Sequence, residues 1–262
     1  MSRILKILII SGHGQGDPGA TYHGLEEQNI TRELANILAK CFGNANAIIT
    51  IYDQSKNAYK QLQAGNIINF KNYDYVIELH TNANSNDRAR GCGFYLHVTE
   101  EGISVEEKIL DNLIKLGLTK WGSGVYRRDD LLVQNKCKEA KVSHGLLEVF
   151  FISNKEDVAF YQSHKKEIGQ AIADGIIDGF GIRKIEIVDE YSSWIGSVAN
   201  AEKLNVRVGP GMKYSIVSVI GQINVEIFGE AYEDIEKTKK WYNIKVGDNV
   251  LGWVYSKYIK MI

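Results

Sequence analysis

Runs of apolar residues alternate with segments of helical periodicity over the first two thirds of the chain. The strand-like runs cover residues 4–11, 47–53, 74–80, 93–98 and 142–152. Helical spacing covers residues 27–41, 57–70, 105–118 and 154–179. Because strands and helices alternate over such a length, the pattern predicts an α/β fold with a mostly parallel, twisted sheet and helices on both of its faces.

The pattern changes after residue 181. Strand-like runs become short and turn-separated, covering residues 204–208, 216–220, 225–229, 241–246 and 252–254. No helical period of any length survives there, which predicts a small all-β barrel. The expected organisation is a larger domain at residues 1–181, a linker at 182–194 and a second domain at 195–262.

Composition and charge exclude two kinds of partner. The chain has 262 residues and a formal net charge of −1. That balance argues against nucleic acid as the main partner, because phosphate binding usually shows as a basic excess. No segment approaches the roughly 20 apolar residues needed to span a bilayer, so no membrane insertion is expected.

The cysteines and the first residues indicate where the chain is made. Cys41, Cys92 and Cys137 are unclustered and lack C-x-x-C spacing, so they are interpreted as reduced thiols. The apolar opening is short, is interrupted by Lys6 and lacks a small-x-small cleavage site, which favours a buried strand over a signal peptide. Synthesis in a host cytoplasm without a signal peptide is therefore expected.

Four metal-binding or acidic side chains stand where strands end or a helix begins. His13 follows the first predicted strand, and His80 ends the third. Glu27 opens a helix, and Glu148 lies inside the apolar run 142–152. Ligands of open α/β sheets collect beyond the carboxyl ends of the strands, so these groups are able to meet. Two imidazoles and a carboxylate leave a tetrahedral zinc ion one open position, beside which Glu148 could take a proton from water.

Several other residues are weaker candidates for a metal ligand or a catalytic group. Glu148 outranks them because a carboxylate among apolar neighbours costs several kcal/mol unless something pairs with it. Glu78 ranks lower, since strand alternation is taken to point it away from the face of His80. Glu26 adjoins Glu27 and is an alternative ligand. His23 is a less favoured candidate for the metal site. His97 and His144 are interpreted as satisfied core or rim residues.

Four segments, in order, resemble the motifs of the zinc-dependent N-acetylmuramoyl-L-alanine amidases, the third amidase family of bacterial wall hydrolases. They are SGHGQGDPGA at 11–20, EQNIT at 27–31, HTNA at 80–83 and LEVFFISN at 147–154. Residues 124–133 also resemble the segment on the substrate side that precedes the closing motif. The resemblance covers about residues 1–180.

The resemblance implies a role for each matching residue. His13, Glu27 and His80 would bind Zn²⁺, and Glu148 would be the catalytic carboxylate. Phe150 stands where the family usually has glycine, so it is expected to narrow the cleft or to alter the packing of its strand. The implied substrate is peptidoglycan, cleaved at the amide between N-acetylmuramic acid and L-alanine.

The last part of the chain resembles bacterial SH3-like wall-targeting domains. LNVRVGPG at 204–211, WYNI at 241–244 and GWV at 252–254 carry this resemblance. It implies an SH3-like barrel that binds a cell-wall ligand. At least one of Trp241 and Trp253 is expected in the core of the barrel.

The preferred interpretation is a phage or prophage endolysin of the amidase type, which acts on the wall after release from the cytoplasm. Three alternatives stay open. They are a sporulation amidase that lyses the mother cell, a zinc peptidase that cuts the stem peptide, and a non-catalytic wall-binding protein.

Overall fold

The structure is a computed structural model that describes residues 4–22, 24–43, 45–182, 194–234, 236–246 and 249–262. The chain separates into two compact units, Met1–Arg183 and Lys184–Ile262. Most of the expected linker, at 183–193, lies outside the described residues. The limits proposed for that linker therefore stay a prediction.

The first unit is built on a central sheet. The strands of this unit are β1 (Leu5–Ser11), β2 (Thr21–Tyr22), β3 (Leu25–Glu26), β4 (Ala47–Ile51), β5 (Tyr75–Asn82), β6 (Cys92–His97), β7 (Lys120–Arg128) and β8 (Ser143–Phe151). Within the described residues, six strands form one sheet in the order β4-β1-β5-β8-β6-β7. All neighbours run parallel except β6 and β8. The mostly parallel sheet expected from the sequence is confirmed.

Helices cover both faces of this sheet. They are α1 (Glu27–Cys41), α2 (Ala58–Gln63), α3 (Ser104–Leu116), α4 (Leu132–Glu139) and α5 (Lys155–Gly179). Alternation along β1 divides its apolar residues between the two faces. Ile7 and Ile9 join the core formed with α1, α3 and α5. Leu8 and Ile10 join a smaller core formed with α2 and α4.

Two parts of this unit differ from the sequence-based expectation. The helix expected at 57–70 ends at Gln63, and Gly65 follows with φ +80°, a conformation that favours glycine. Strand β7 and helix α4 have no counterpart among the predicted elements. Both are short of apolar residues, so hydrophobic periodicity did not reveal them.

Strand β8 has a bulge between Glu148 and the core residues that follow it. His80 on β5 is the partner of Glu148, but Asn82 is the partner of Phe151, so β8 holds one extra residue between these pairs. As a result, the consecutive residues Val149 and Phe150 both join the core on the α5 side. Strand β8 is thus anchored in the core just after the residue expected to be catalytic.

The second unit is all-β in its described residues. Its strands are β9 (Trp194–Val198), β10 (Leu204–Arg207), β11 (Ile216–Ile220), β12 (Asn224–Tyr232), β13 (Lys240–Val246), β14 (Asn249–Tyr255) and β15 (Ile259–Met261). They form an antiparallel sheet in the order β11-β10-β14-β13-β12-β9-β15. Trp241 and Trp253 are 1% and 4% exposed, so both tryptophans belong to the core of this unit.

None of the helices in the described part of the chain has the length and apolar character that crossing a membrane requires.

Candidate metal centre

The structure brings three of the predicted site residues together. Nε2 of His13 lies 3.1 Å from Oε2 of Glu27, and Nδ1 of His80 lies 3.0 Å from Oε1 of the same carboxylate. One ligand atom from each residue lies within 4.8 Å of the other two. His13 follows β1, Glu27 begins α1 and His80 lies on β5. The fold therefore brings together three residues that are far apart in the sequence.

A tight loop after β1 aims His13 at this point. His13 has φ +61° and Gly14 has φ +97°, so the chain turns sharply as it leaves the strand. Oδ2 of Asp17 contacts Nδ1 of His13 at 2.9 Å, and Asn57 donates to the same oxygen at 3.2 Å. Asp17 therefore holds the imidazole by the nitrogen that faces away from Glu27.

Two glycines leave room for the imidazoles. A methyl group on Gly12 would lie 2.4 Å from Cε1 of His80. A methyl group on Gly19 would lie 2.6 Å from Cδ2 of His13 and 2.7 Å from Oε2 of Glu27. Gly19 also has φ +68°, which L side chains rarely adopt. The glycines of the loop are thus part of the geometry of the site.

Glu27 is the hub of the cluster. It is 3% exposed, and it also accepts hydrogen bonds from the backbone N–H groups of Ala20 at 3.0 Å and Thr81 at 2.9 Å. Burial raises its pKa, but the hydrogen bonds with His13 and His80 outweigh that effect and hold the pKa well below its usual value. Glu27 is therefore a carboxylate, the form that binds a cation.

Glu26, the alternative ligand, faces elsewhere. Its Oε2 accepts hydrogen bonds from the side chains of Gln28 at 2.6 Å and Asn29 at 3.2 Å. Glu27, and not Glu26, belongs to the cluster with His13 and His80. His23, the less favoured candidate, lies outside the described residues.

Arg32 on α1 is a residue that the sequence analysis missed. Its guanidinium donates to the carbonyl oxygens of Gly12, His13, Gln28, Gln54 and Lys56 at 2.9–3.2 Å. These bonds tie the loop that holds His13 to the helix that begins with Glu27. A lone arginine in a helix has no sequence signal for such a role, since its partners are backbone atoms.

The expectation for Glu78 was wrong. Residues two apart on a strand share a face, and the structure accordingly places Glu78 on the same face as His80. Oε1 of Glu78 lies 3.4 Å from Nε2 of His80, and Oε2 lies 3.2 Å from Nε2 of His144. His144 is buried as expected, and its partner is this carboxylate.

Glu148 stands beside His80 on the neighbouring strand. The two residues are Cα partners of β8 and β5, so their side chains project to the same face. Oε2 of Glu148 is shielded from solvent and has no hydrogen-bond partner among the described residues. Burial raises the pKa of Glu148 to about 7, with the charge of His80 opposing that rise. This carboxyl group is able to hold or release a proton near neutral pH.

Two different surfaces flank the cluster. A cavity of about 270 Å³ lies on one side, lined by His13, His80 and Glu78 and by residues of α2 and α4. On the other side, Tyr95, Trp121 and Tyr126 form an aromatic cluster. The ring centroids of Trp121 and Tyr126 lie 4.5 Å apart. In the strand order, β8 with Glu148 lies between these two surfaces.

Phe150 packs away from the site. It is fully buried and stacks on Tyr161 of α5, with ring centroids 4.9 Å apart. This contact lies in the core on the sheet face opposite Glu148. Of the two expected effects of this residue, altered packing of its strand is the one that fits its position.

Comparisons with known proteins identify the family of the chain. A family model described as N-acetylmuramoyl-L-alanine amidase matches residues 7–178. Because that match covers more than half of the chain, the chain belongs to the N-acetylmuramoyl-L-alanine amidase family. It is 26% identical over 255 residues to the probable autolysin PH of Staphylococcus aureus, covering 82% of this chain and 52% of that protein. The chain thus spans about half the length of this relative.

Two further similarities concern a bacterial enzyme and a lytic enzyme. The chain is 29% identical over 211 residues to the sporulation-specific N-acetylmuramoyl-L-alanine amidase of Bacillus subtilis, covering 77% of this chain and 79% of that protein. The catalytic domain of CD27L endolysin, which targets Clostridia difficile, superposes with a TM-score of 0.54 at 24% identity. That match covers 66% of this chain and 97% of that domain, and it establishes the fold.

Proposed function

We propose that the protein is a zinc-dependent N-acetylmuramoyl-L-alanine amidase, which hydrolyses the amide between the lactyl group of N-acetylmuramic acid and L-alanine in peptidoglycan. The observation that carries the proposal is the cluster of His13, Glu27 and His80 beside the carboxyl group of Glu148. Membership of the amidase family supports the choice of reaction.

The donor set fits zinc. Two imidazole nitrogens and a carboxylate oxygen are the ligands of many catalytic zinc sites, which keep a further position for water or substrate. One ligand atom from each of His13, Glu27 and His80 lies within 4.8 Å of the other two, so one ion is within reach of all three residues. A bound zinc ion supplies Lewis acidity, which polarises a carbonyl group and makes water more acidic.

Glu148 supplies the proton transfers. Its carboxylate takes a proton from the attacking water and later gives that proton to the leaving nitrogen of alanine. Both forms of the group are accessible near neutrality, because its pKa is raised to about 7. The unpartnered Oε2 is free of competing hydrogen bonds within the described residues, so it is available to the water.

Analysis of the products tests the reaction directly. Purified peptidoglycan is digested with the full chain, with and without a zinc chelator, and the released fragments are analysed by mass spectrometry. We expect new alanine amino groups and intact glycan strands, and no release in the chelated sample. Cleavage between stem amino acids would instead establish the zinc peptidase, and a protein without bound zinc and without released fragments would establish a non-catalytic wall protein.

We further propose that the second unit is an SH3-like domain that binds the cell wall. Its antiparallel strands and the motif at 204–211 support this proposal. Within this unit, a cavity of about 590 Å³ combines aromatic and charged side chains. Its lining includes Trp241, Tyr255, Tyr258, Lys203 and Lys239.

Charge reversal within the full chain tests this role. In the background of Glu148→Ala, which leaves the wall intact, the double variant Lys203→Glu/Lys239→Glu changes two exposed lysines that line the cavity. The matched control is Lys257→Glu/Lys260→Glu, which makes the same change of charge elsewhere on the unit. We expect only the first pair to reduce cosedimentation with purified walls; equal losses would point to general attraction of charge.

The proposed setting is lysis of a bacterial host by a phage or prophage, with the lysis of a sporulating mother cell as the alternative. The endolysin and the sporulation-specific amidase named above support one setting each. To test for release from the cytoplasm, the chain is expressed in a bacterial host with and without a pore-forming membrane protein, and lysis of the host is measured. Lysis that needs the pore supports release from the cytoplasm, and lysis without it contradicts that proposal.

A further inference from the structure

We propose that Glu78 is a positioning residue for His80, and that His144 holds Glu78 in place for this task. The inference rests on the proposed zinc site, because it concerns how one of its ligands is oriented. It assigns a role to two buried residues that the proposed reaction does not itself use.

The two nitrogens of His80 face two different carboxylates. Nδ1 lies 3.0 Å from Oε1 of Glu27, within the cluster of candidate ligand atoms. Nε2 lies 3.4 Å from Oε1 of Glu78, behind the cluster. An imidazole that binds a metal through one nitrogen usually donates its other N–H to a carboxylate, which fixes both the tautomer and the orientation of the ring. Glu78 occupies the place of that acceptor.

His144 accounts for the burial of Glu78. A buried carboxylate is costly unless each of its oxygens has a partner. Glu78 is 6% exposed, and its Oε2 lies 3.2 Å from Nε2 of His144, which is 3% exposed. His144 projects from β8 to the face of the sheet that carries Glu78 and His80. The pair therefore bridges the two central strands directly beneath the site.

The other imidazole of the cluster has an equivalent support. Nδ1 of His13 contacts Asp17, and Asp17 in turn accepts a hydrogen bond from Asn57. Each candidate histidine ligand thus has a carboxylate behind it, and each carboxylate has a second donor that holds it. This parallel indicates that Glu78 and His144 orient a ligand and do not merely fill the core.

Zinc affinity is the measurement that tests the inference. Competition with a chromophoric chelator is measured for the wild type and for Glu78→Gln, Glu78→Leu, His144→Leu and His144→Gln. We expect Glu78→Leu to weaken zinc binding by about 10- to 100-fold, the usual effect of losing such a partner. Glu78→Gln and His144→Leu should weaken it less. His144→Gln, which restores an N–H donor near the position of Nε2, should recover most of the affinity.

A second readout and a control separate positioning from stability. The visible spectrum of the Co²⁺-loaded protein reports the geometry of the coordinating atoms. It should change in Glu78→Leu and in His144→Leu, and it should stay close to that of the wild type in His144→Gln. The control is Glu106→Gln, since Glu106 is also buried but bonds to Tyr75 at 2.8 Å. It should alter thermal stability without altering zinc affinity.

The outcomes distinguish this inference from the proposed function. A wild type that binds no zinc overturns the zinc site itself. A wild type that binds zinc, with folded Glu78 and His144 variants that match its affinity within twofold and share its Co²⁺ spectrum, overturns the positioning role alone. If His144→Gln loses as much zinc affinity as His144→Leu, the imidazole of His144 does not act by donating to Glu78, and its assigned role is overturned.

Discussion

Glu148 is a carboxyl group whose surroundings suit it to proton transfer. We expect Glu148→Gln to lower the amidase rate by about 10²- to 10⁴-fold, the usual contribution of a general acid–base group. The base must be ionised, and burial raises its pKa to about 7, so the wild-type rate should fall as the pH drops through this value. The residual rate of Glu148→Gln should lack that dependence.

A rate–pH profile for both proteins checks this expectation. Zinc content is measured in parallel, because the variant should keep its metal. Glu107→Gln, which changes an exposed glutamate of α3, is the control and should behave as the wild type does. A Glu148→Gln protein with full activity would falsify the assigned mechanism.

Gly12 is constrained by its distance from His80. A methyl group there would lie 2.4 Å from the imidazole, so Gly12→Ala must displace either the ring or the strand end. We expect a loss of about 1–3 kcal/mol in the free energy of unfolding, as overpacking usually costs, together with weaker zinc binding. Chemical denaturation and a zinc titration measure the two effects.

Gly102→Ala is the matched control for this substitution. Apart from its two chain neighbours, no described residue has an atom within 4 Å of the position a methyl group would take at Gly102. Its stability and zinc affinity should therefore remain at the wild-type level. If Gly12→Ala behaves in the same way, the close approach of Gly12 to His80 is not what fixes the imidazole.

At the scale of elements, α1 joins two parts of the site through Arg32. Arg32→Lys keeps the charge but loses the planar fork that reaches several carbonyl oxygens at once. We expect a loss of about 2 kcal/mol in the free energy of unfolding, in line with removal of charged hydrogen bonds, and a lower affinity for zinc. Thermal denaturation and zinc titration provide the measurement.

Lys40→Gln offers a comparison on the same helix. Lys40 is exposed in the last turn of α1, so its replacement leaves the loop around His13 untouched. Only Arg32→Lys should affect zinc binding. Equal effects of the two substitutions would mean that α1 acts through its overall stability and not through its contacts with the loop.

The elements also show how far the sequence could be interpreted. Apolar runs predicted β1, β4, β5, β6 and β8, since buried parallel strands are apolar throughout. They could not reveal β7, in which Lys120, Ser123 and Arg128 interrupt any apolar pattern. The end of α2 was missed because Gly65 stops the helix while apolar residues continue beyond it.

The main residues of the candidate site could be predicted from their positions relative to the predicted strands and helices. The rule that ligands collect at strand ends applied to His13 and His80. Glu27 was added because it opens the next helix, and Glu148 because it is a carboxylate inside an apolar run. The resemblance to the amidases then implied a role for each of the four. Asp17, Asn57 and Arg32 were not predicted, because their roles depend on distances across the fold. The error on Glu78 came from applying strand alternation with the wrong sign.

At the scale of the whole molecule, we expect that the fold does not depend on the metal. Extensive apolar clusters on both faces of the sheet hold the first unit together. We therefore expect a chelator to abolish activity and to lower the melting temperature, because zinc stabilises only the state that binds it. The protein should nevertheless stay folded, and added zinc should restore its activity.

Circular dichroism with activity assays, before and after dialysis against a chelator, checks this behaviour. A chelated protein that loses its helical signal would contradict it, and the metal would then be structural, as in zinc fingers. A chelated protein with undiminished activity would instead remove zinc from the reaction.

Backbone hydrogen bonds hold the two sides of the site to different degrees. Strand β8, with Glu148, is hydrogen-bonded along its length to β5 and β6 on either side. The loop with His13 is joined to the rest of the unit by single backbone bonds, such as Gly12 to Leu79 and Gln28 to Pro18, and by the side chain of Arg32. Regions held by few backbone bonds open at lower free energy than central strands. On warming, the enzyme should thus lose its catalytic competence some degrees before it melts, and cooling should return it.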